Sequence, residues 1–198
     1  RLDYIRASAS KADDKPDVGP KTANQLYQMY YGTQASDQSE TNLGGLLRYE
    51  YDFRQDMVVF AGLSRSVRTA DASERYMNKF AMNPLLQWVG NPEIKPEKHH
   101  QLDLGIGQQN GRVSWNGVLF YDDVSDYILR DTARGQSGTL LANGADIYRN
   151  VDAVLWGAEA DASWALTKAL DLSAALAYVR ATNTTDDDRP IAQTPPLN

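Results

Sequence analysis

YRNVDAVLWGAEADASWALTKALDLSAALAYVR (residues 148–180) is the stretch whose reading decides the fold. From Val154 onward, Val154, Trp156, Ala158, Ala160, Ala162, Trp164 and Leu166 alternate with Leu155, Gly157, Glu159, Asp161 and Ser163. After a break at residues 167–169 the alternation resumes. Leu170, Leu172, Ala174, Leu176 and Tyr178 fall on one face, and Asp171, Ser173, Ala175 and Ala177 on the other. Period two places successive side chains on opposite sides of an extended chain. Alanine and leucine are good helix formers, yet a helical wheel scatters Glu159, Asp161, Asp171 and both tryptophans without a stripe. The stretch therefore reads as two long strands and a very short turn. One face is apolar, with aromatics near its ends, and the other is polar or small.

Composition narrows the class. Of 198 residues, 42% are hydrophobic and 23% charged, and mean hydropathy is −0.53. No run approaches the ~18 consecutive apolar residues of a membrane helix. That excludes a helical membrane protein but not a β-barrel, whose lipid-facing residues are diluted by lumen-facing ones. A net charge of −6 and a pI near 4.9 argue against a nucleic-acid partner. The absence of cysteine excludes a disulfide framework, a thiolate zinc site and a cysteine nucleophile. The chain begins at Arg1 in a strand-like stretch and ends just after Pro195 and Pro196, so it reads as part of a longer protein.

Working outward, residues 1–9 predict a strand end with Leu2 and Tyr4 on one face. Residues 10–40 predict a long polar loop, with Gln25 to Gly32 a short strand or hairpin stem inside it. Residues 42–53 predict a strand with Leu43, Leu47, Tyr49, Tyr51 and Phe53 opposite Arg48, Glu50 and Asp52. A turn at residues 54–56 leads to a strand over 57–68, and residues 69–97 form a second long connection. A strand over 98–109 sets Leu102, Leu104 and Ile106 against Gln101, Asp103, Gly105 and Gly107. Asn110-Gly111 is a hairpin signal, and the next strand carries Val113, Trp115, Leu119 and Tyr121. Residues 131–145 and 182–189 are polar loops, and Pro195-Pro196 opens a further strand.

Short turns (residues 54–56, 109–111 and 167–169) alternate with long polar connections. That sorting is the mark of an outer-membrane barrel with short periplasmic turns and long extracellular loops. Phe53, Trp115 and Trp164 near the short turns, and Tyr121 and Tyr178 towards the long loops, fit two aromatic belts. The expected fold is all-β: about seven strands of an antiparallel up-and-down transmembrane barrel. A soluble β-sandwich, with the aromatic face packed in a core, is the alternative of another class.

Several motifs then resemble one family. RSVRTADASERY (65–76), VGNPEIKPEKHHQLDLGIG (89–107), FYDDVSDYI (120–128), YRNVDAVLWGAEAD (148–161) and RPIAQTPP (189–196) resemble, in order, segments of TonB-dependent outer-membrane receptors. RTADASERY, GNPEIKPEKHHQLD and DYILRDTARGQ look most like the copper-receptor branch. The resemblance implies a 22-stranded barrel filled by an N-terminal plug, with residues 1–198 the later part of the barrel, lacking the plug and final strands. It also implies import of a metal, copper or a ferric-siderophore-type chelate, across the cell outer membrane. The partners would be outer-membrane lipid and, through the plug, the TonB complex. No cofactor and no enzymatic activity are expected.

Copper favours thioether and imidazole ligands. The chain offers Met29, Met57, Met77, Met82, His99 and His100; Met77, Met82, His99 and His100 form the candidate metal set at the mouth. The plainer reading, preferred here, makes the methionines loop packing and the histidines interface residues, because adjacent strand residues point to opposite faces. Glu159 and Asp161 share a face about 7 Å apart and superficially fit a carboxylate pair. With Arg48, Glu50, Asp52 and Asp103 they are read instead as lumen lining.

Overall fold

The structure is a computed structural model, and it describes residues 1–14, 19–54 and 56–192. Its elements in chain order are β1 (Leu2–Ala7), α1 (Ala23–Tyr31), β2 (Gln38–Leu43), β3 (Gly45–Arg54), β4 (Met57–Arg68) and α2 (Ala72–Tyr76). The two-residue strands β5 (Asn78–Lys79) and β6 (Trp88–Val89) follow, then β7 (Glu97–Asn110), β8 (Val113–Thr132), β9 (Asp146–Thr167), β10 (Leu170–Asn183) and β11 (Arg189–Pro190).

The deciding stretch forms β9 and β10, paired antiparallel from Thr167↔Leu170 to Ala153↔Asn183. Ladder hydrogen bonding and the faces it creates override the helix propensity of the alanines. The sheet runs β11-β10-β9-β8-β7-β4-β3, an open path in which sequence neighbours, or strands separated only by a long connection, lie side by side. β1 pairs antiparallel with β2 in a separate two-stranded sheet. Short connections join β3 to β4, β7 to β8 and β9 to β10; long ones join β4 to β7 and β8 to β9. From the connection between β4 and β7, β6 adds in parallel to the start of β9.

Two compact units divide the chain: residues 1–43, 67–97 and 126–151, and residues 44–66, 98–125 and 152 onward. The first holds the buried core. Leu26, Tyr27, Tyr30, Val89, Ala133, Ala145 and Ile147 form one cluster, and Ala70, Ile94, Ile128 and Tyr148 another. The second unit leaves its large apolar side chains outside: Leu47 is 71% exposed, Leu63 57%, Trp164 50% and Leu176 58%. The register keeps these on one face, with Leu47↔Leu63, Tyr49↔Ala61, Leu104↔Leu119, Leu102↔Tyr121 and Trp164↔Leu172 as cross-strand pairs. A continuous exposed apolar face of this extent is what a sheet turned towards lipid requires.

Three expectations need correction. Gln25 to Gly32 belongs to a helix, not a strand or hairpin stem. Thr22 caps α1: its hydroxyl accepts from the Gln25 amide at 3.2 Å, and Gln25 Oε1 accepts from the Thr22 amide at 2.9 Å. Gly32 closes α1 at φ 74°. Leu26, Tyr27 and Tyr30 then share one buried stripe. The strand expected over 42–53 is broken at Gly44 between β2 and β3, and residues 10–40 hold α1 and the start of β2 as well as loop. Pro195 and Pro196 lie outside the described residues.

Candidate functional site: the loop unit and the inner face of the sheet

In the first unit the motif residues meet as one ion network. The Arg68 guanidinium, at the end of β4, donates to Glu97 Oε1 at 2.7 Å and Oε2 at 3.0 Å, and to both Glu74 carboxylate oxygens at 3.0 Å. Glu97 also accepts the buried Ile128 amide at 2.8 Å. These contacts hold the Arg68 pKa well above its usual range, the Glu97 hydrogen bonds contributing most. Glu74 closes a capping box on α2 with Asp71. Its neighbour Arg75 is 1% exposed, donates to Ile94 O at 2.9 Å and pairs with Glu40.

The loop over residues 89–94 lies directly on α2. The Gly90 amide donates to Met77 O at 2.7 Å and the Asn91 amide to Glu74 O at 2.8 Å. A Cβ on Gly90 would stand 2.7 Å from backbone atoms of Arg75 and Met77, so only glycine permits this approach. The RSVRTADASERY and GNPEIKPE segments therefore hold each other in place; their chemistry is structural.

Helix α1 is fastened to the same unit by three hydroxyls. Tyr27 donates to Tyr76 O (2.8 Å), Tyr30 to Gln87 Oε1 (2.7 Å) and Tyr31 to Val89 O (2.9 Å). Burial, then the nearby Tyr76, pushes the Tyr27 pKa up to about 12. Between β8 and β9, Asp131 gathers Arg149 (2.8 Å), Arg134 (2.7 Å), Gln136 (3.0 Å) and the Thr132 amide (2.7 Å). Burial raises its pKa, but the hydrogen bonds from Arg149, Thr132 and Arg134 outweigh burial and leave it lowered. Neither α1 nor the Asp131 cluster was singled out from sequence. Thr22, Gln25 and Gly32 were a readable capping signal; the tyrosine contacts, 49 to 58 residues apart, had none.

In the second unit, alternation and register place Arg48, Glu50, Asp52, Asp103, Glu159 and Asp161 on the face opposite the apolar one. Arg48 pairs with Glu50 at 2.6 Å, and its guanidinium lies 3.6 Å from the centre of the Phe60 ring. The Phe60 ring covers Gly105, where a Cβ would stand 2.2 Å from it. Asp103 accepts from Gln101 at 2.6 Å. Glu159 and Asp161 are exposed and stand opposite Ala177 and Ala175. Near the short turns, Gln109, Ser114, Asn116 and Asp161 line a recess of about 470 Å³. Apolar side chains share this face with the charges: Phe60 stands opposite Glu50 and Phe120 opposite Asp103.

The candidate metal ligands are dispersed. Met77 ends α2, half-buried, and Met82 is 87% exposed in the connection before β6. Met29 lies on α1 and Met57 opens β4. His99 and His100 point to opposite faces: His99 Nδ1 is 2.7 Å from Asp122 Oδ2 on the acidic face, whereas His100 is exposed opposite Asp123 on the other. Among the described residues no group of three or more His, Cys, Asp or Glu side chains is arranged to hold a metal ion.

An antiparallel meander with one exposed apolar face, one polar face and long connections sorted to one end is a section of β-barrel wall. A family model described as "TonB dependent receptor-like, beta-barrel" matches residues 1–198, and the chain belongs to that family. Among solved structures, the chain is similar to a protein titled copper transporter OprC, at 28% identity and TM-score 0.69, over 99% of this chain and 27% of that one. The siderophore receptor PirA from Pseudomonas aeruginosa is similar at 18% identity and TM-score 0.57, over 74% of this chain and 30% of that one. The FrpB iron transporter from Neisseria meningitidis follows at 16% and 0.51, over 77% of this chain and 22% of that one. The last two likenesses carry the fold alone. The chain thus spans under a third of each of these proteins. No curated protein matches it in sequence.

Proposed function

We propose that the chain is the later part of the barrel domain of an outer-membrane receptor that imports copper in a TonB-dependent manner. The observation that carries the copper reading is the likeness to the copper transporter, which extends over 99% of the chain at 28% identity. The acidic inner face agrees with a cationic cargo, since Glu50, Asp52, Asp103, Glu159 and Asp161 outnumber Arg48 there. In this reading the outer face meets lipid and the first unit forms the extracellular mouth. The plug that couples to the TonB complex lies elsewhere in the protein. Of the two mouth methionines, Met82 is the thioether open to passing copper, being 87% exposed, whereas Met77 is half-buried at the end of α2. His99 is a better candidate than His100, because it shares the acidic face.

The test is uptake by the full-length protein in cells that lack it. Restored copper accumulation, without restored ferric-chelate uptake, is the expected result. Uptake of a ferric siderophore with copper unaffected would replace copper by a chelate. A full-length protein that stays soluble without detergent, and shows no heat-modifiable migration, would return the reading to a soluble sandwich.

A further inference from the structure

The outer face of the second unit carries a groove of about 480 Å³ between β7, β8 and β9. Leu104, Ile106 and Leu119 supply its bulky sides, and Gly117, Ala158 and Ala160 its floor. No heavy atom lies within 4 Å of where a Gly117 Cβ would stand, so no neighbouring side chain fills that floor. One pair step nearer the long connections, Trp156 stands opposite Arg180 in the β9–β10 ladder and packs against Tyr178 at 5.5 Å between ring centres. Arg180 is exposed on this same face. Its guanidinium makes no hydrogen bond or ion pair among the described residues. The carboxylates Glu159, Asp161 and Asp171 all belong to the opposite face, and the outer-face carboxylates Asp123 and Asp152 lie further towards the long connections.

We propose that this groove seats one acyl chain of a phosphorylated glycolipid of the outer leaflet, with Arg180 binding the lipid's phosphate. The inference rests on the membrane-wall reading above. From Ala160 to the level of Trp156 and Arg180 is four strand residues, on the order of 14 Å, which suits one acyl chain lying along the strand. A cation above an apolar slot, at the height of an aromatic pair, matches an anionic headgroup over a hydrocarbon tail. A second copy of the chain fits less well. A two-fold contact through this patch would bring Arg180 towards its own symmetry mate.

The experiment uses the full-length receptor in detergent, mixed with equal amounts of purified rough lipopolysaccharide and phosphatidylethanolamine and read by native mass spectrometry. Arg180→Glu and Ala160→Phe are expected to lower the bound glycolipid about tenfold or more, the effect of one charge-assisted contact or of a blocked slot. Arg180→Lys should retain it. Equal glycolipid on all variants, a preference for the phosphatidylethanolamine, or a two-copy complex that Ala160→Phe disperses would each overturn the proposal. Heat-modifiable migration is recorded for every variant. Its loss in the unmodified receptor sinks the membrane-wall reading itself, whereas its presence with unchanged lipid binding sinks the groove alone.

Discussion

Removal of the Glu97 carboxylate should loosen the loop unit by an amount that its contacts define. Glu97 has only 4% of its side chain exposed, and it accepts two Arg68 N–H groups and the Ile128 amide. Glu97→Ala strands that buried amide and takes one of two carboxylates from Arg68. Breaking a buried pair costs about 3–5 kcal/mol. Arg68 is 44% exposed and keeps Glu74, so the lower end applies. A loss of about 3 kcal/mol is roughly a hundredfold in the opening equilibrium. Hydrogen–deuterium exchange of the full-length receptor reads it directly, in peptides spanning residues 68–76 and 126–132. Glu97→Gln keeps an acceptor for Ile128 and should cost about half as much. Unchanged exchange in Glu97→Ala would refute the claim that these motifs hold the loop unit together.

Three further outcomes follow. The Asp131 carboxyl has a lowered folded pKa, so its stabilisation is complete above the ordinary carboxylate range and is lost as pH falls through the folded value. Pepsin cleavage within residues 133–145 should rise steeply on acidification below about pH 4, and Asp131→Asn should remove that pH dependence. Thr22→Ala should destabilise α1 by about 1 kcal/mol, seen as faster exchange over residues 23–31. Ala160→Arg places a charge on the lipid face and should cost about 2–4 kcal/mol in denaturant unfolding from lipid vesicles. The adjacent Glu159→Arg, on the wet face, should cost little.

The wall was legible in the sequence because alternation is a local property. Glu159 beside Ala160, or Asp103 beside Leu104, already assigns two faces without any partner strand. The break at Gly44 was not legible, since the apolar pattern continues through it. Helix α1 was misjudged because three tyrosines in QLYQMYY favour strands. The capping pair Thr22 and Gln25 and the terminal Gly32 decided otherwise, and the tyrosines find their partners far along the chain. Arg68 and Glu74 stand in one motif and Glu97 in another, and nothing in either segment announces their ion network. Arg68 and Glu97 are 29 residues apart, and no periodicity links them. The metal candidates show the limit most clearly: adjacency of His99 and His100 in sequence became separation onto two faces.

The most direct test of the two-faced wall is single-cysteine labelling along β9 in the receptor embedded in lipid, made simple by the absence of cysteine from this chain. Residues 158–163 are replaced one at a time. Positions 159, 161 and 163 are predicted to react with a membrane-impermeant maleimide once both ends of the lumen are accessible. A fluorophore at 158, 160 or 162 should instead be quenched by a quencher carried on the lipid acyl chains. Quenching that follows a helical period, or equal aqueous labelling at all six positions, would contradict the account.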